Sequence, residues 1–246
     1  MIHLQLKNNK IMKHFIITIS VLTLILQPLS SGSINYKNKQ FALISFNLTI
    51  HQQVKEKLDQ LSSYFPEVER MKADKIISRI MDYTWFLLED RLQRELGMYI
   101  LPTNTAGKQF DYNAYGYPNT SINKAIHRGT SKFYLKIDMS IEPEIIQSFS
   151  ISSMAKIKKD SSTTIADSTQ NQGFKPKIVI DFTSYSEKGI IPIDKFTGTF
   201  IAAEPWLFEP KILDGLTNTK ECTEQDNLCL LINEAITDLI RKIPTY

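Results

Sequence analysis

Histidine, cysteine and glycine are scarce in this sequence, and their scarcity excludes several common kinds of site. The 246 residues include 4 histidines, 2 cysteines and 9 glycines. A helix with paired histidines, a Gly-x-Ser-x-Gly turn and a glycine-rich phosphate loop are all absent from the sequence. Two cysteines cannot supply the four ligands of a structural zinc site. We therefore expect no metal, no cofactor and no catalytic residue that a motif identifies.

The sequence also lacks an apolar run long enough to span a bilayer. The run Phe15–Leu26 has about 12 residues, whereas a membrane-spanning helix needs about 20. Small residues follow it, and three lysines precede it, namely Lys7, Lys10 and Lys13. This order is typical of a cleaved secretory signal peptide, which we predict over residues 1–33. A start at Met12 gives a more compact signal than a start at Met1.

The small residues after this run indicate where a signal peptidase would cleave the chain. Cleavage is predicted after Ser31 or Ser33. Gly32 stands where a bacterial lipoprotein signal would carry its acylated cysteine, so a lipid has no attachment atom. The sequence therefore predicts an exported, soluble protein, periplasmic or secreted, with no lipid anchor and no transmembrane span.

Charge of one sign is not in large excess. The formal net charge is +3, and part of it belongs to the lysines of the predicted signal peptide. Proteins that bind phosphate backbones carry a concentrated basic surface, so we expect no nucleic-acid partner.

Both cysteines lie near the end of the chain, at Cys222 and Cys229. An exported protein meets an oxidising environment, in which two such close cysteines are expected to form a disulfide. Six residues separate them, whereas a redox-active pair usually has two. We therefore predict a structural disulfide.

Residues 34–246 have the patterns of a single α+β domain. Alternating apolar and polar residues predict strands over 41–50, 98–101, 133–141, 148–154, 178–185 and 196–202. Apolar residues at helical spacing predict helices over 51–65, 67–96, 122–127 and 227–243. A polar stretch at 156–173 predicts a mobile loop.

These elements predict an antiparallel or mixed sheet of about five strands, with two or three helices on one face and the other face partly wet. The last two strands are expected to form a hairpin that turns at 186–189. In the first strand, alternation predicts one core-facing set, consisting of Ala42, Ile44, Phe46, Leu48 and Ile50.

Two aromatic segments are candidate binding sites. Tyr112, Tyr115 and Tyr117 lie in a stretch rich in turn residues, a composition that recognition loops use. The same tyrosines could instead pack over a sheet edge and donate their hydroxyls to loop carbonyls. Trp206 invites two similar interpretations, an exposed anchor for a partner or a plug at one end of the core. We add His127 and Arg128, which follow the tyrosines in the chain, to the candidates.

Carboxylates supply an alternative, since two of them can act as acid and base in a glycosidase. The candidates are Asp111, Glu142, Glu144, Asp181 and Glu204. Sequence alone does not pair them.

The order of elements resembles that of exported, mostly uncharacterised single-domain proteins of Bacteroidota. The resemblance is carried by the strand at 41–50, the long helix that ends at Gly97, the Tyr112–Pro118 loop, the strand at 132–141 and the hairpin at Gly189. The plan is also similar to small α/β domains of periplasmic assembly factors, among them the N-terminal domain of TolB. The resemblance implies an envelope protein and transfers no catalytic residue.

Two functional hypotheses follow from the sequence. The first is a non-enzymatic envelope protein that binds another envelope component or a small ligand through the Tyr112–Tyr117 loop and the Trp206 segment. The alternative is a hydrolase of envelope polymer or glycan that uses paired carboxylates. The oligomeric state does not follow from the sequence.

Overall fold

The computed structural model describes residues 34–65, 74–144, 174–216, 222 and 227–245. The predicted signal peptide at 1–33, the predicted strand at 148–154 and the predicted mobile loop at 156–173 lie outside the described residues. Among the described residues, no helix is both long enough and apolar enough to cross a membrane.

Among the described residues, five strands form one mixed sheet, and four α-helices pack against it. The elements are β1 (Gln40–Ile50), α1 (Gln52–Asp59), α2 (Lys75–Leu96), β2 (Tyr99–Ile100), α3 (Ile122–Arg128), β3 (Phe133–Glu144), β4 (Lys175–Ser186), β5 (Asp194–Ile201) and α4 (Leu228–Lys242). The strand order is β2-β1-β3-β4-β5. β1 is parallel to β2 and β3, whereas β3, β4 and β5 are successively antiparallel. The predicted α+β class and the predicted β4–β5 hairpin are confirmed.

Helices α1, α2 and α4 contribute their buried residues to one core, on the inner face of the sheet. The outer face was expected to be partly wet, and in the structure one end of it is covered. Tyr134 of β3 is fully buried there, and its hydroxyl donates a 3.1 Å hydrogen bond to the carbonyl of Ala125 in α3. A small second core forms around these two residues, with Ala42, Ile44 and Phe110. Helix α3 therefore covers the face opposite the other three helices.

A bulge in β1 changes the face to which its side chains point. The pairing with β3 shifts register between Leu43 and Ser45. Before the bulge, Leu43 belongs to the main core and Ile44 to the second core, and after it Phe46 belongs to the main core. The prediction from simple alternation placed Ile44 and Phe46 on one face of the sheet, and this prediction is wrong. A bulge inserts one extra residue into the strand, so the side chains that follow it point to the opposite face from the one that alternation predicts.

Helix α2 is shorter than the predicted 67–96. Asp74 has non-helical backbone angles, and its carboxylate accepts hydrogen bonds from the backbone N–H groups of Ile76 and Ile77. This is N-cap geometry, so the helix begins at Lys75. The predicted end at Gly97 is confirmed, and Gly97 adopts the left-handed conformation with φ of 65°.

Helix α4 lies very close to the edge strand β5. A methyl group on Gly198 would lie 2.3 Å from the carbonyl oxygen of Ala235, a distance that no packed atoms reach. The backbone N–H of Thr199 donates to Asp238 at 2.9 Å, and the ammonium of Lys242 donates to the carbonyl of Thr197 at 2.8 Å. The absence of a side chain at position 198 therefore sets the distance between helix and strand.

We expect Gly198→Ala to destabilise the fold by about 2 to 3 kcal/mol, because the new methyl group has to push α4 away from β5. Urea unfolding monitored by circular dichroism measures the change. Gly189→Ala is a matched control, since nothing lies within 4 Å of a methyl group there. Equal stabilities of the two variants would contradict this, because they would show that α4 can move away from β5 at no cost in stability.

The predicted disulfide between Cys222 and Cys229 is present, with the two Cα atoms 5.9 Å apart. Cys229 is fully buried in the first turn of α4, and the hydroxyl of Tyr83 in α2 lies 3.5 Å from the sulfur of Cys222. The bond therefore fastens the chain that leads into α4 beside α2.

We expect the double variant Cys222→Ser with Cys229→Ser to lose about 2 to 3 kcal/mol of unfolding free energy, because a closed loop of this length restricts the unfolded chain. Reduction of the wild type should produce a similar loss, measured by urea unfolding with and without reductant. If neither change affected the unfolding free energy, the disulfide would not stabilise the fold in this way.

Candidate functional site

Tyr117 is a core residue in this fold. Its ring is buried, edge-on to Phe46 with the ring centres 5.0 Å apart, and its hydroxyl donates a 2.9 Å hydrogen bond to Asp82 of α2. Burial raises the pKa of Tyr117, and the charge of Asp82 raises it further. The hydroxyl is therefore a neutral donor, and the ring has little surface to offer a ligand.

The segment around Tyr117 covers the edge of β1 beyond the short strand β2. The N–H of Phe46 donates to the carbonyl of Pro118 at 3.0 Å, and the N–H of Thr120 donates to the carbonyl of Ile44 at 2.8 Å. Tyr112 is partly exposed, and its hydroxyl donates to the carbonyl of Thr103 at 3.2 Å. This geometry corresponds to the sheet-edge interpretation of the tyrosines.

The other candidate residues lie in different places. Tyr115 is half-buried against the main core, where burial raises its pKa and the charge of Asp74 raises it further. His127 and Arg128 are exposed in the last turn of α3, which packs on the opposite face of the sheet. The structure thus does not bring the predicted binding residues together, and a binding role for any one of them stays a prediction.

Trp206 follows β5 and is buried, with only 3% of its surface exposed. Its ring lies edge-on to Phe208, with the ring centres 5.5 Å apart, and the backbone N–H of Trp206 donates to the carbonyl of Phe174 at 3.3 Å. The indole nitrogen has no hydrogen-bond partner among the described residues. This placement corresponds to a plug at the end of the core.

Of the five carboxylates proposed for a hydrolase, three lie beside lysines. Asp111 is 2.7 Å from Lys124, Glu142 is 3.9 Å from Lys177 and Asp181 is 3.9 Å from Lys195. The other two, Glu144 and Glu204, form no ion pair with a described residue.

One pair of carboxylates was not predicted. Asp181 in β4 is directly opposite Asp138 in β3. Asp138 is itself 2.7 Å from Lys136. The pair lies on the outer face of the sheet, among the polar residues of the central strands, and a lysine accompanies each carboxylate.

A cleft of about 300 Å³ lies where α2 ends and β1 begins, beside the last described residues of the chain. Tyr36 is buried at its base, and its hydroxyl donates to Asp194 at 2.6 Å and lies 3.1 Å from the hydroxyl oxygen of Ser184. Burial raises the pKa of Tyr36, and the bond to Asp194 raises it further. The carboxylate that lines the cleft, Glu95, is bound by Arg91 at 2.6 Å. The cleft therefore lacks a free pair of carboxylates.

The connection between β4 and β5, residues 187–193, forms an exposed apolar hairpin tip. Ile190 is 55% exposed and Ile191 is 80% exposed, and Pro192 next to them is also exposed. The base of the tip is held by a 2.8 Å hydrogen bond from the N–H of Ile193 to the carbonyl of Ser184. The tip therefore presents its isoleucines to solvent from a fixed base.

Sequence reasoning missed this tip, although a signal was present. Residues 190–193 read Ile-Ile-Pro-Ile between two predicted strands, where a connection is normally polar. An apolar connection at the end of a hairpin indicates a contact surface.

Three lysines lie in the tip or beside its base, and we name them the basic collar. They are Lys39, Lys132 and Lys188. The carbonyl of Lys132 accepts a 2.9 Å hydrogen bond from the N–H of Glu187, and Phe133 pairs with Ser186 in the sheet. The ammonium of Lys39 lies over the ring of Phe133, 5.2 Å from its centre.

We expect Tyr117→Phe to cost about 1 to 2 kcal/mol of stability near pH 7, because it removes the hydrogen bond to Asp82. The folded pKa of Tyr117 is raised, so its contribution is complete below the unfolded pKa of about 10 and is lost as the pH rises above it. The difference between wild type and variant should therefore shrink from pH 9 to pH 11 in urea titrations. Tyr112→Phe is the exposed control and should change little; an equal effect of the two would contradict the assignment.

No known protein family and no curated protein matches the chain. Two solved structures are similar to it. The hypothetical protein CT253 from Chlamydia trachomatis aligns over 83% of this chain and 95% of its own, with 6% identity and a TM-score of 0.41. A putative neuraminyllactose-binding hemagglutinin homolog from Helicobacter pylori aligns over 87% of this chain and 90% of its own, with 8% identity and a TM-score of 0.37.

Proposed function

We propose that this chain is an exported, non-enzymatic binding domain of the cell envelope, and that it contacts its partner through the hairpin tip. The observation that carries the proposal is the exposure of two consecutive isoleucines, at 55% and 80%, on a connection that the sheet holds in place. Burying one such side chain is worth about 1.5 to 3 kcal/mol, so an occupant of the tip gains a substantial part of its binding energy there.

Export is supported by two independent features. The predicted signal peptide would carry the chain out of the cytoplasm, and the disulfide between Cys222 and Cys229 is of the kind that persists in an oxidising compartment. The resemblance to exported Bacteroidota proteins and to TolB-like envelope domains points in the same direction and remains part of the proposal.

A binding role has more support than the hydrolase alternative. The best carboxylate pair, Asp138 and Asp181, lies on the polar outer face of the sheet rather than in the cleft at the end of α2. Each member also has a lysine within 4 Å, so the pair is not a pair of carboxylates that face each other alone. A contact role for the tip, by contrast, requires only that its isoleucines are exposed, whereas a hydrolase requires two carboxylates placed together in a cleft.

Photo-crosslinking tests the proposal. We expect a photoreactive residue at position 191 of the full-length chain, expressed in its own cells, to form an adduct with an envelope component. Position 57, which is exposed on α1, should form none. Ile190→Ser in the same chain should reduce the yield at position 191, because it removes half of the apolar contact. The adducts are measured by gel shift and mass spectrometry.

The chain must remain folded for this result to count, and thermal unfolding of each purified variant checks this. Equal adducts at positions 57 and 191, or none at position 191 in a folded chain, would reject the hairpin tip as the contact surface.

A further inference from the structure

We infer that the component contacted by the hairpin tip is the surface of an anionic lipid bilayer, with Ile190, Ile191 and Pro192 inserted between the headgroups and the basic collar lying above them. This inference rests on the proposed function, since it names the partner of the same surface. It makes the chain a peripheral membrane-binding protein.

The shape and chemistry of the tip suit insertion into a bilayer interface. Ile190, Ile191 and Pro192 are its exposed apolar side chains, and they stand between two strands that run back into the sheet. A protein partner would need a pocket that fits two neighbouring isoleucines, whereas acyl chains accommodate any apolar shape. Interfacial segments bind by this combination of a small buried apolar area and electrostatic attraction.

The charge around the tip favours an anionic surface. The three lysines of the basic collar form no ion pair with a described residue, and Lys132 and Lys188 are exposed. Of the two acidic residues nearby, Asp194 is held by the hydroxyl of Tyr36, and Glu187 is the one exposed carboxylate of the tip. The lysines thus outnumber the free acid at this end of the sheet. Each lysine near an anionic bilayer strengthens binding about fivefold, the factor that corresponds to about 1 kcal/mol.

The chain enters the domain at this same end. The N–H of Ile34, the first described residue, lies 3.5 Å from a carboxylate oxygen of Asp194, the first residue of β5 after the tip. The predicted cleavage after Ser33 would place the new amino group on Ile34, beside the carboxylate of Asp194.

The opposite end of the sheet provides a comparison. Leu207 is 69% exposed there, in the segment that follows β5, yet Glu204 and Glu209 accompany it in that segment. A single exposed leucine between acidic residues is not attracted to an anionic surface. Leu207 is therefore the matched control for the two isoleucines.

Vesicle sedimentation tests the inference. Residues 34–246 are mixed with phosphatidylcholine vesicles that contain either no anionic lipid or about 30% phosphatidylglycerol. We expect binding to the anionic vesicles that weakens with added salt. Ile190→Ser with Ile191→Ser should weaken it at least about tenfold. Lys132→Gln with Lys188→Gln should weaken it about 25-fold on anionic vesicles and leave binding to neutral vesicles unchanged. Leu207→Ser should have no effect.

The other outcomes separate this inference from the proposed function. Absence of vesicle binding, together with a protein adduct at position 191, would overturn the lipid assignment and leave the hairpin tip as a protein-binding surface. Vesicle binding that survives both isoleucine substitutions would overturn the lipid assignment as well, because another surface would then carry it. Absence of any adduct at position 191 of the folded chain, with protein or with lipid, would overturn the proposed function itself, whatever the vesicles show.

Discussion

The packing of α2 and α4 against the inner face of the sheet is the interaction on which the rest of this structure depends. Phe182 of β4 and Leu239 of α4 are completely buried in it. Gly198 permits the close approach of α4, and the disulfide holds the chain that leads into that helix beside α2. With the helices held on this face, the described domain leaves the polar outer face, the loops at the two sheet ends and the solvent side of the helices for contacts. Among the described residues, the hairpin tip is the surface where two consecutive large apolar side chains are exposed.

The periodicity of apolar residues was enough to predict the helices and strands, but not the face of the sheet to which each side chain points. The strands β1, β3 and β4 and the helices α3 and α4 lie close to their predicted ranges, because burial of one face imposes a period on the residues. The bulge near Ile44 leaves no trace in composition, since it depends on what β3 and the Pro118 segment offer as partners. The start of α2 depended on one cap, Asp74, inside a continuous helical pattern.

The candidate site was harder to predict, because exposure is a tertiary property. Tyrosines in a polar loop look the same in sequence whether their hydroxyls face solvent or reach Asp82, as that of Tyr117 does. Ile190 and Ile191 look like strand residues, since isoleucine is a strong strand former. They became visible as a surface only when the strands were seen to end at Ser186 and to resume at Asp194. The disulfide was predictable because it required only two cysteines close in sequence and an oxidising compartment.

The contacts between α4 and β5 have a consequence for how this chain behaves at high concentration. An open strand edge is a template on which a second chain can add a strand, and such addition leads to aggregates. Here the N–H of Thr199 and the carbonyl of Thr197 are already occupied by Asp238 and Lys242. A foreign strand would have to displace both side chains, which also bind each other at 2.7 Å. Helix α4 thus protects the β5 edge against the addition of a further strand. The hairpin tip can therefore be apolar without this neighbouring edge recruiting further copies of the chain.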